Sequence, residues 1–185
     1  MMESLFNKLE TFFERIKRMN VFKFFLIMFV INFAWIVLIA IILYFSGAQF
    51  SQHVASTSEF TNSFLLVPFA AVAEEVVFRW GPMLILSFCL TYAYRTERLT
   101  KDQFFMKEKY FLFVLVIVSS SIFGYFHGNF YNILIQGVSG MFMYVVYLRS
   151  FFIERDLGVR DRWQVVPLLE SSIYHLLVNS FLIFL

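Results

Sequence analysis

The chain has 185 residues, of which 60% are hydrophobic and only 15% are charged, and its mean hydropathy is +0.73. A soluble domain carries about 25% charged residues because its surface faces water, so this composition excludes an ordinary soluble domain and indicates an integral membrane protein. The net charge of +2 gives no sign of a nucleic-acid partner, and the single cysteine, Cys89, excludes an intramolecular disulfide.

Five apolar runs follow one another along the chain. Residues 1–20 are charged and amphipathic and are expected at the cytoplasmic surface, ahead of the first span at residues 21–45. The second run, residues 60–94, would be about 52 Å long as one straight helix, so a kink or break is expected near Gly81-Pro82. Three further runs follow at residues 110–127, 130–148 and 163–185. Since about 20 apolar residues cross a bilayer, the predicted fold class is an all-α, polytopic membrane helical bundle of about five transmembrane helices.

The basic residues test this map independently, because cytoplasmic loops of membrane proteins carry an excess of Lys and Arg. Fourteen of the fifteen basic residues lie before residue 24 or in the charged stretches 95–109 and 149–162. The loop at residues 46–59 and the connection near residue 129 contain none. This alternation predicts five crossings with the N-terminus in the cytoplasm and the C-terminus outside.

The remaining basic residue, Arg79, lies inside an apolar run together with Glu74 and Glu75. A charge near the bilayer centre costs a few kcal/mol, at least ~2.5, so intramembrane ionisable residues usually pair and line a functional cavity. Glu75 and Arg79 are four residues apart, which places an acid and a base in contact on one helix face. Glu74 points about 100° away and needs another partner. A helix-packing ion pair without chemistry is the alternative interpretation.

Histidines in two other spans are candidate partners for these carboxylates. His127 ends the third span, and on the fifth span Ser171, His175 and Asn179 share one stripe because they are spaced at i, i+4 and i+8. Two carboxylates, two imidazoles and an amide can supply a base, a second proton carrier and donors for a developing oxyanion. This combination is what the activation of a water molecule requires.

These residues form three motifs that together resemble the CPBP family of intramembrane glutamic endopeptidases, which includes CAAX proteases and bacteriocin-processing (Abi) proteins. The family is marked by E-E-x-x-x-R, F-x-x-x-H and H-x-x-x-N on separate membrane helices. The chain contains all three in that order: Glu74-Glu75-VVF-Arg79, Phe123-GYF-His127 and His175-LLV-Asn179. Each motif alone is weak, whereas the ordered set is specific. The resemblance covers residues 60–185 and does not address the first 58 residues.

The resemblance implies an endopeptidase that hydrolyses a peptide bond of a membrane-associated peptide or protein, at a site between helices within the bilayer. It implies that Glu74 is the general base, acting on a water held jointly with His127, and that His175 and Asn179 donate hydrogen bonds to the oxyanion. The substrate would be a lipidated protein, a leader peptide or a C-terminal anchor. Neither a cofactor nor a metal is implied, and the location would be a prokaryotic cell (inner) membrane.

Three further residues have expected supporting roles. Glu75 would pair with Arg79 and hold the helix in register, and Phe123 would act as a packing wall rather than as a reactant. Glu170 lies about two turns into the last span, where snorkelling to the interface is favoured over catalysis.

Two other classes stay open. A metal enzyme would use Glu74, His127 and His175 as ligands, since three oxygen or nitrogen ligands and a water suit zinc; the chain contains no H-E-x-x-H motif. A non-enzymatic membrane protein, such as a bacteriocin immunity factor, would use the same polar cluster for binding or proton relay.

The depth of the site follows from the predicted spans. Glu74 would lie about 21 Å from the outer end of its helix and His127 about 25 Å from the inner end of its own. These depths agree only if the helices tilt or the second span starts deeper than residue 60. We expect a cavity reached from the outer side or laterally from lipid.

Overall fold

The computed structural model describes residues 2–47, 68–128, 130–158 and 163–183, which form helices and no strand. The helices in chain order are α1 (Met2–Lys17), α2 (Val21–Phe45), α3 (Pro68–Arg95), α4 (Lys101–Phe126), α5 (Ile133–Asp156) and α6 (Val165–Ile183). The predicted all-α helical bundle is therefore confirmed.

Four helices, α2 to α5, are long and apolar enough to cross a bilayer, with lengths between 24 and 28 residues. The membrane class predicted from composition is thus confirmed. The fifth predicted span corresponds to α6, which has 19 residues and is not one of these four helices. The second predicted span was placed from residue 60, but residues 60–67 lie outside the described residues, and α3 is described from Pro68 onward.

The charged stretch at residues 95–109 is mostly helical, not a loop as predicted. The hydroxyl of Thr100 accepts a hydrogen bond from the Gln103 N–H at 3.3 Å, and the Gln103 side chain accepts one from the Thr100 N–H at 3.1 Å. This capping box satisfies two backbone donors that a helix N-terminus otherwise leaves unpaired. It starts α4 at Lys101, about nine residues before the apolar part begins. Likewise α5 continues through the predicted loop as far as Asp156.

Helix α5 is the most buried of the four candidate spans and forms the centre of the bundle. It packs against α1, α2, α4 and α6. It approaches α4 closely at Gly124 and Gly137, because a Cβ atom added to Gly124 would lie 2.6 Å from the Gly137 nitrogen. Small residues allow such close helix crossings in membrane proteins. This crossing fixes the end of α4 next to α5.

Helix α2 lies outside the region covered by the family resemblance, yet polar groups attach it to α5. The buried Asn32 side chain accepts a hydrogen bond from Ser139 at 2.8 Å. The Trp35 indole donates to the Leu134 carbonyl at 2.7 Å, within a π-helical segment at Ile133–Gly137. Side-chain hydrogen bonds of this kind hold membrane helices together where lipid supplies no hydrophobic driving force.

A second polar cluster holds the end of α1 against α5 and α6. Arg149 donates hydrogen bonds to the carbonyls of Ile16 at 3.0 Å and Met19 at 2.8 Å, and such carbonyls at a helix C-terminus lack intrahelical partners. Glu170 accepts a hydrogen bond from Ser150 and lies 3.7 Å from Arg149. Glu170 thus has partners inside the fold instead of snorkelling alone, and it lies in a different cluster from Glu74.

Candidate active site

Helix α3 changes its winding where the carboxylates lie. Residues Val76–Trp80 form a π-helical segment, and the Gly81 N–H donates to the Val76 carbonyl, five residues earlier. Pro82 follows, and because proline has no N–H it cannot bond the carbonyl of Phe78, four residues before it. The kink predicted near Gly81-Pro82 therefore takes the form of a π segment in a helix that continues to Arg95. Such segments are frequent at functional sites.

Two hydroxyl groups from neighbouring helices bind the carbonyl that Pro82 leaves free. Ser119 of α4 and Tyr144 of α5 both donate hydrogen bonds to the Phe78 carbonyl, the latter at 2.7 Å. In a bilayer a buried backbone carbonyl without a partner is costly. These hydroxyls therefore fix α3 against α4 and α5 at the level of the carboxylates. Sequence reasoning did not identify either residue.

The expected pair of Glu75 and Arg79 is formed and is fully buried. The Arg79 Nη1 atom lies 2.9 Å from Glu75 Oε1, and both side chains have 0% exposure. The guanidinium also lies over the ring of Phe123, 4.4 Å from its centroid, and donates through Nη2 to the Met143 sulfur at 3.4 Å. Arg79 thus connects α3 with α4 and α5.

His175 contacts both carboxylates, which extends the role expected for Glu75. Its Nδ1 atom lies 2.9 Å from Glu75 Oε1, and its Nε2 atom lies 3.4 Å from Glu74 Oε2. A carboxylate paired with arginine can only accept a hydrogen bond, so the Nδ1 atom carries a proton and Nε2 faces Glu74. Glu75 therefore orients the His175 ring in addition to pairing with Arg79.

His127 approaches Glu74 from the other side, at the end of α4. Its Nδ1 atom lies 2.8 Å from the Phe123 carbonyl, which can only accept, so this nitrogen also carries a proton. The Nε2 atom lies 3.7 Å from Glu74 Oε1. The buried Asn132 side chain donates to the His127 carbonyl at 2.6 Å and holds the turn after α4. Asn132 was not predicted as a supporting residue; its only sequence signal is its place in the short connection before α5.

The Glu74 carboxylate thus lies between two imidazole Nε2 atoms. A direct N–H···O bond has a heavy-atom distance of about 2.7–3.2 Å, so the separation of 3.7 Å from His127 is long enough for a third group to bind both atoms. The Glu74 side chain is 29% exposed and that of His127 is 30% exposed, whereas His175 is 1% exposed. A small reactant can therefore reach the edge between Glu74 and His127.

The formal charges of the cluster do not cancel when both histidines are neutral. Glu74 and Glu75 contribute two negative charges and Arg79 one positive charge, so the cluster has a net charge of −1 when both histidines are neutral. An uncompensated charge is expensive in a low-dielectric interior. One additional proton, carried by Glu74 or by an imidazole facing it, makes the cluster neutral. Exchange of that proton between neighbouring groups is the basis of general acid–base chemistry.

Phe123 and Asn179 complete the predicted set in different ways. The Phe123 ring lies 4.3 Å from the His127 ring and 5.8 Å from the His175 ring, between centroids, so it separates the two imidazoles. Asn179 lies one turn beyond His175 on α6 and is partly exposed. Among the described residues, it makes no hydrogen bond to the carboxylates or histidines of the cluster. The structure thus brings six of the seven predicted residues together, and the seventh, Asn179, lies one turn along α6 from His175.

Within the described ranges, no group of three or more His, Cys, Asp or Glu side chains is arranged to hold a metal ion. Comparisons of the chain with family models, curated proteins and solved structures gave no match.

Proposed function

We propose that this chain is an intramembrane endopeptidase of the CPBP type, in which Glu74 and His127 activate a water molecule for attack on a peptide bond. The observation that carries the proposal is the position of the Glu74 carboxylate, 3.7 Å and 3.4 Å from the Nε2 atoms of two histidines on different helices. The ordered motifs of the family supply the analogy for the reaction.

In the proposed reaction, a water donates hydrogen bonds to Glu74 Oε1 and His127 Nε2. Glu74 takes one proton while the water oxygen attacks the carbonyl carbon of the scissile bond, which forms a tetrahedral oxyanion. Glu74 then passes the proton to the leaving nitrogen as the C–N bond breaks. A base positioned in this way contributes about 10²–10⁴-fold to the rate.

His175 and Asn179 have the proposed task of stabilising the oxyanion. The Nδ1 proton of His175 binds the Glu75 carboxylate, and a carboxylate partner can hold a positively charged imidazole. His127 instead binds a neutral peptide carbonyl through Nδ1. We therefore assign the donor to His175 and the acceptor to His127. Asn179 would join when a substrate lies along α6.

The proposed orientation places the N-terminus in the cytoplasm of a prokaryotic cell and the site in the outer half of its inner membrane. Glu74 lies about 9 Å along α3 from Pro68, and His127 lies at the far end of α4. The short connection between α3 and α4 makes them antiparallel neighbours, so these two positions are at the same end of the bundle. The contact of 3.7 Å between Glu74 Oε1 and His127 Nε2 supports placing the two residues at one depth.

The proposed substrate is a membrane-associated peptide or protein, either lipidated or carrying a leader or a C-terminal anchor. Comparison of protein termini between cells with wild-type protein, Glu74→Gln and Glu97→Gln tests the function and names the substrate. Glu97 is an exposed loop carboxylate, so its variant controls for the loss of a negative charge. We expect cleaved termini that are absent only with Glu74→Gln.

A peptide that spans the cleaved bond then serves as the substrate of the purified protein. Glu74→Gln should lower the cleavage rate at least about 10²-fold, and a metal chelator should leave the wild-type rate unchanged. Undiminished cleavage by the purified Glu74→Gln variant would refute the mechanism. Loss of activity with the chelator and its recovery with zinc would favour the metal enzyme.

A further inference from the structure

A cavity of about 680 Å³ lies between α1, α4 and α5, apart from the candidate active site. Its volume is within the range of ligand pockets, roughly 300–1,000 Å³. Aromatic and aliphatic side chains form its walls, from Phe105 to Ile117 on α4 and from Met141 to Phe152 on α5. Six charged residues lie at one end: Glu10, Glu14, Lys17, Glu108, Lys109 and Arg155. The cavity therefore has a charged rim and an apolar interior.

The cavity has the length of one leaflet of a bilayer. Along α5 it runs from Arg155 at the rim to Met141, fourteen residues or about 21 Å away. Half of a hydrocarbon core of about 30 Å, together with part of the headgroup region, has a similar depth. The rim lies where α4 begins and α5 ends, at the membrane end opposite to His127. An acyl chain anchored at that surface would thus fit along the cavity.

The rim is electrically balanced, because its charged groups form ion pairs. Lys109 lies 3.1 Å from Glu10, and Arg155 lies 3.0 Å from Glu108. Lys17 pairs with Glu14 of the rim and also with Asp156 outside it. Burial lowers the pKa of Lys17, but its hydrogen bonds to Asp156 and Glu14 outweigh this effect, so its pKa is raised and it stays charged.

Two of these pairs can exchange partners with a ligand. Lys109 and Glu10 are 46% and 57% exposed, and Arg155 is 44% exposed. Exposed ion pairs contribute little to stability, so replacing the contact between Lys109 and Glu10 costs little; Glu108, at 14% exposure, is the less accessible partner of Arg155. A phosphate group would suit Lys109 and Arg155, and an ammonium group would suit Glu10. An anionic headgroup would satisfy only the bases and leave the acids next to its negative charge.

We propose that this cavity binds one zwitterionic phospholipid of the leaflet at the rim, with an acyl chain between α4 and α5 and its headgroup beneath α1. The inner end of the cavity is lined by Tyr144, whose hydroxyl donates to the Phe78 carbonyl in the π segment. Tyr144 itself is fully buried, so the bound chain would end close to the side chain that supports α3 beside the carboxylates. This inference does not depend on the proposed proteolysis.

Native mass spectrometry of the full chain in detergent tests the proposal with two probes, dioleoyl phosphatidylethanolamine and dioleoyl phosphatidylglycerol. We expect one phosphatidylethanolamine to be retained, with an affinity at least about tenfold above that of phosphatidylglycerol. Absence of a retained lipid, equal retention of both lipids, or a second copy of the chain in place of lipid would each overturn the proposal. Because this measurement uses the wild-type protein, misfolding of a variant cannot affect its outcome.

Two matched variants locate the bound lipid. Ile117 lines the cavity and is 38% exposed, so Ile117→Trp can fill the space without displacing the core. Its neighbour Val118 is 48% exposed and does not line the cavity. We expect Ile117→Trp to weaken retention at least about tenfold and Val118→Trp to leave it unchanged. Equal retention by both variants, each with the thermal stability of the wild type, would place the lipid elsewhere and refute the assignment.

Discussion

Replacing Arg79 by alanine should destabilise the fold far more than the loss of an ordinary ion pair. Arg79 and Glu75 have 0% exposure, so the change leaves a buried carboxylate without its guanidinium partner. Breaking a buried pair from one side costs about 3–5 kcal/mol. The contact between the guanidinium and the ring of Phe123 at 4.4 Å is lost as well. Its contribution is included in this cost of about 3–5 kcal/mol and is not added to it. We expect a loss of about 3–5 kcal/mol in the free energy of unfolding.

Arg155 provides a control with the same chemistry and a different environment. It lies 3.0 Å from Glu108 and 4.6 Å from the centroid of the Phe152 ring, but its side chain is 44% exposed and that of Glu108 is 14% exposed. Exposed pairs contribute about 0–1 kcal/mol, and this pair is partly exposed, so Arg155→Ala should destabilise the fold clearly less than Arg79→Ala, whose partner has 0% exposure. Reversible unfolding of the purified protein in mixed detergent micelles measures both changes. Comparable losses for the two variants would refute the argument from burial.

A double substitution separates pairing from direct participation in the reaction. Glu75→Gln combined with Arg79→Gln removes both charges, so its cost should be smaller than the sum of the single changes. If Arg79→Ala is as stable as the wild type and still fully inactive, Arg79 acts on the reacting groups and the supporting role assigned to it is wrong.

Three other predictions concern the surroundings of the site. Tyr144→Phe removes one of the two hydroxyl donors of the Phe78 carbonyl. It should lower the free energy of unfolding by about 1 kcal/mol and reduce the cleavage activity. Tyr147→Phe is the control: it loses a hydrogen bond of 2.7 Å to Gln164, outside the site, and should leave the activity unchanged. Gly124→Ala should destabilise the fold by about 1–3 kcal/mol because the added methyl overlaps the backbone of α5; unchanged unfolding would contradict this crossing. With Cys89→Ser as background, Phe126→Cys, at a position 73% exposed, should react with an impermeant maleimide added outside, and labelling from the cytoplasm alone would reverse the proposed orientation.

The membrane class and the helical bundle could be predicted from sequence because hydropathy over about 20 residues depends only on local composition. The ends of α4 and α5 could not be predicted from the same signal, because their first or last turns are charged and extend beyond the apolar part. The capping box of Thr100 and Gln103 is a local pattern that does mark the start of α4. Hydropathy alone assigned those residues to a loop.

The pair of Glu75 and Arg79 could be predicted from the sequence because two residues four positions apart lie on the same face of a helix. The second contact of Glu75, with His175, joins residues 100 positions apart, so it depends on how α3 and α6 pack. The hydroxyls of Ser119 and Tyr144 could not be assigned either. Their target is a carbonyl that becomes available only through Pro82 and the π segment beside it.

Two consecutive carboxylates on a helix cannot face the same surroundings, since neighbouring residues point about 100° apart. Glu75 faces Arg79, which compensates its charge inside the bundle. Glu74 is partly exposed, and the charged or ionisable groups it faces within the described part of the chain are the two imidazoles. Environments that differ in this way suit paired acids to different tasks. His175 contacts both acids, Glu75 through Nδ1 and Glu74 through Nε2. Under the proposed function, the ion pair of Glu75 and Arg79 therefore orients the His175 ring, and this ring in turn contacts the reacting carboxylate of Glu74. This chain of contacts gives both acids of the E-E-x-x-x-R motif a role at one site.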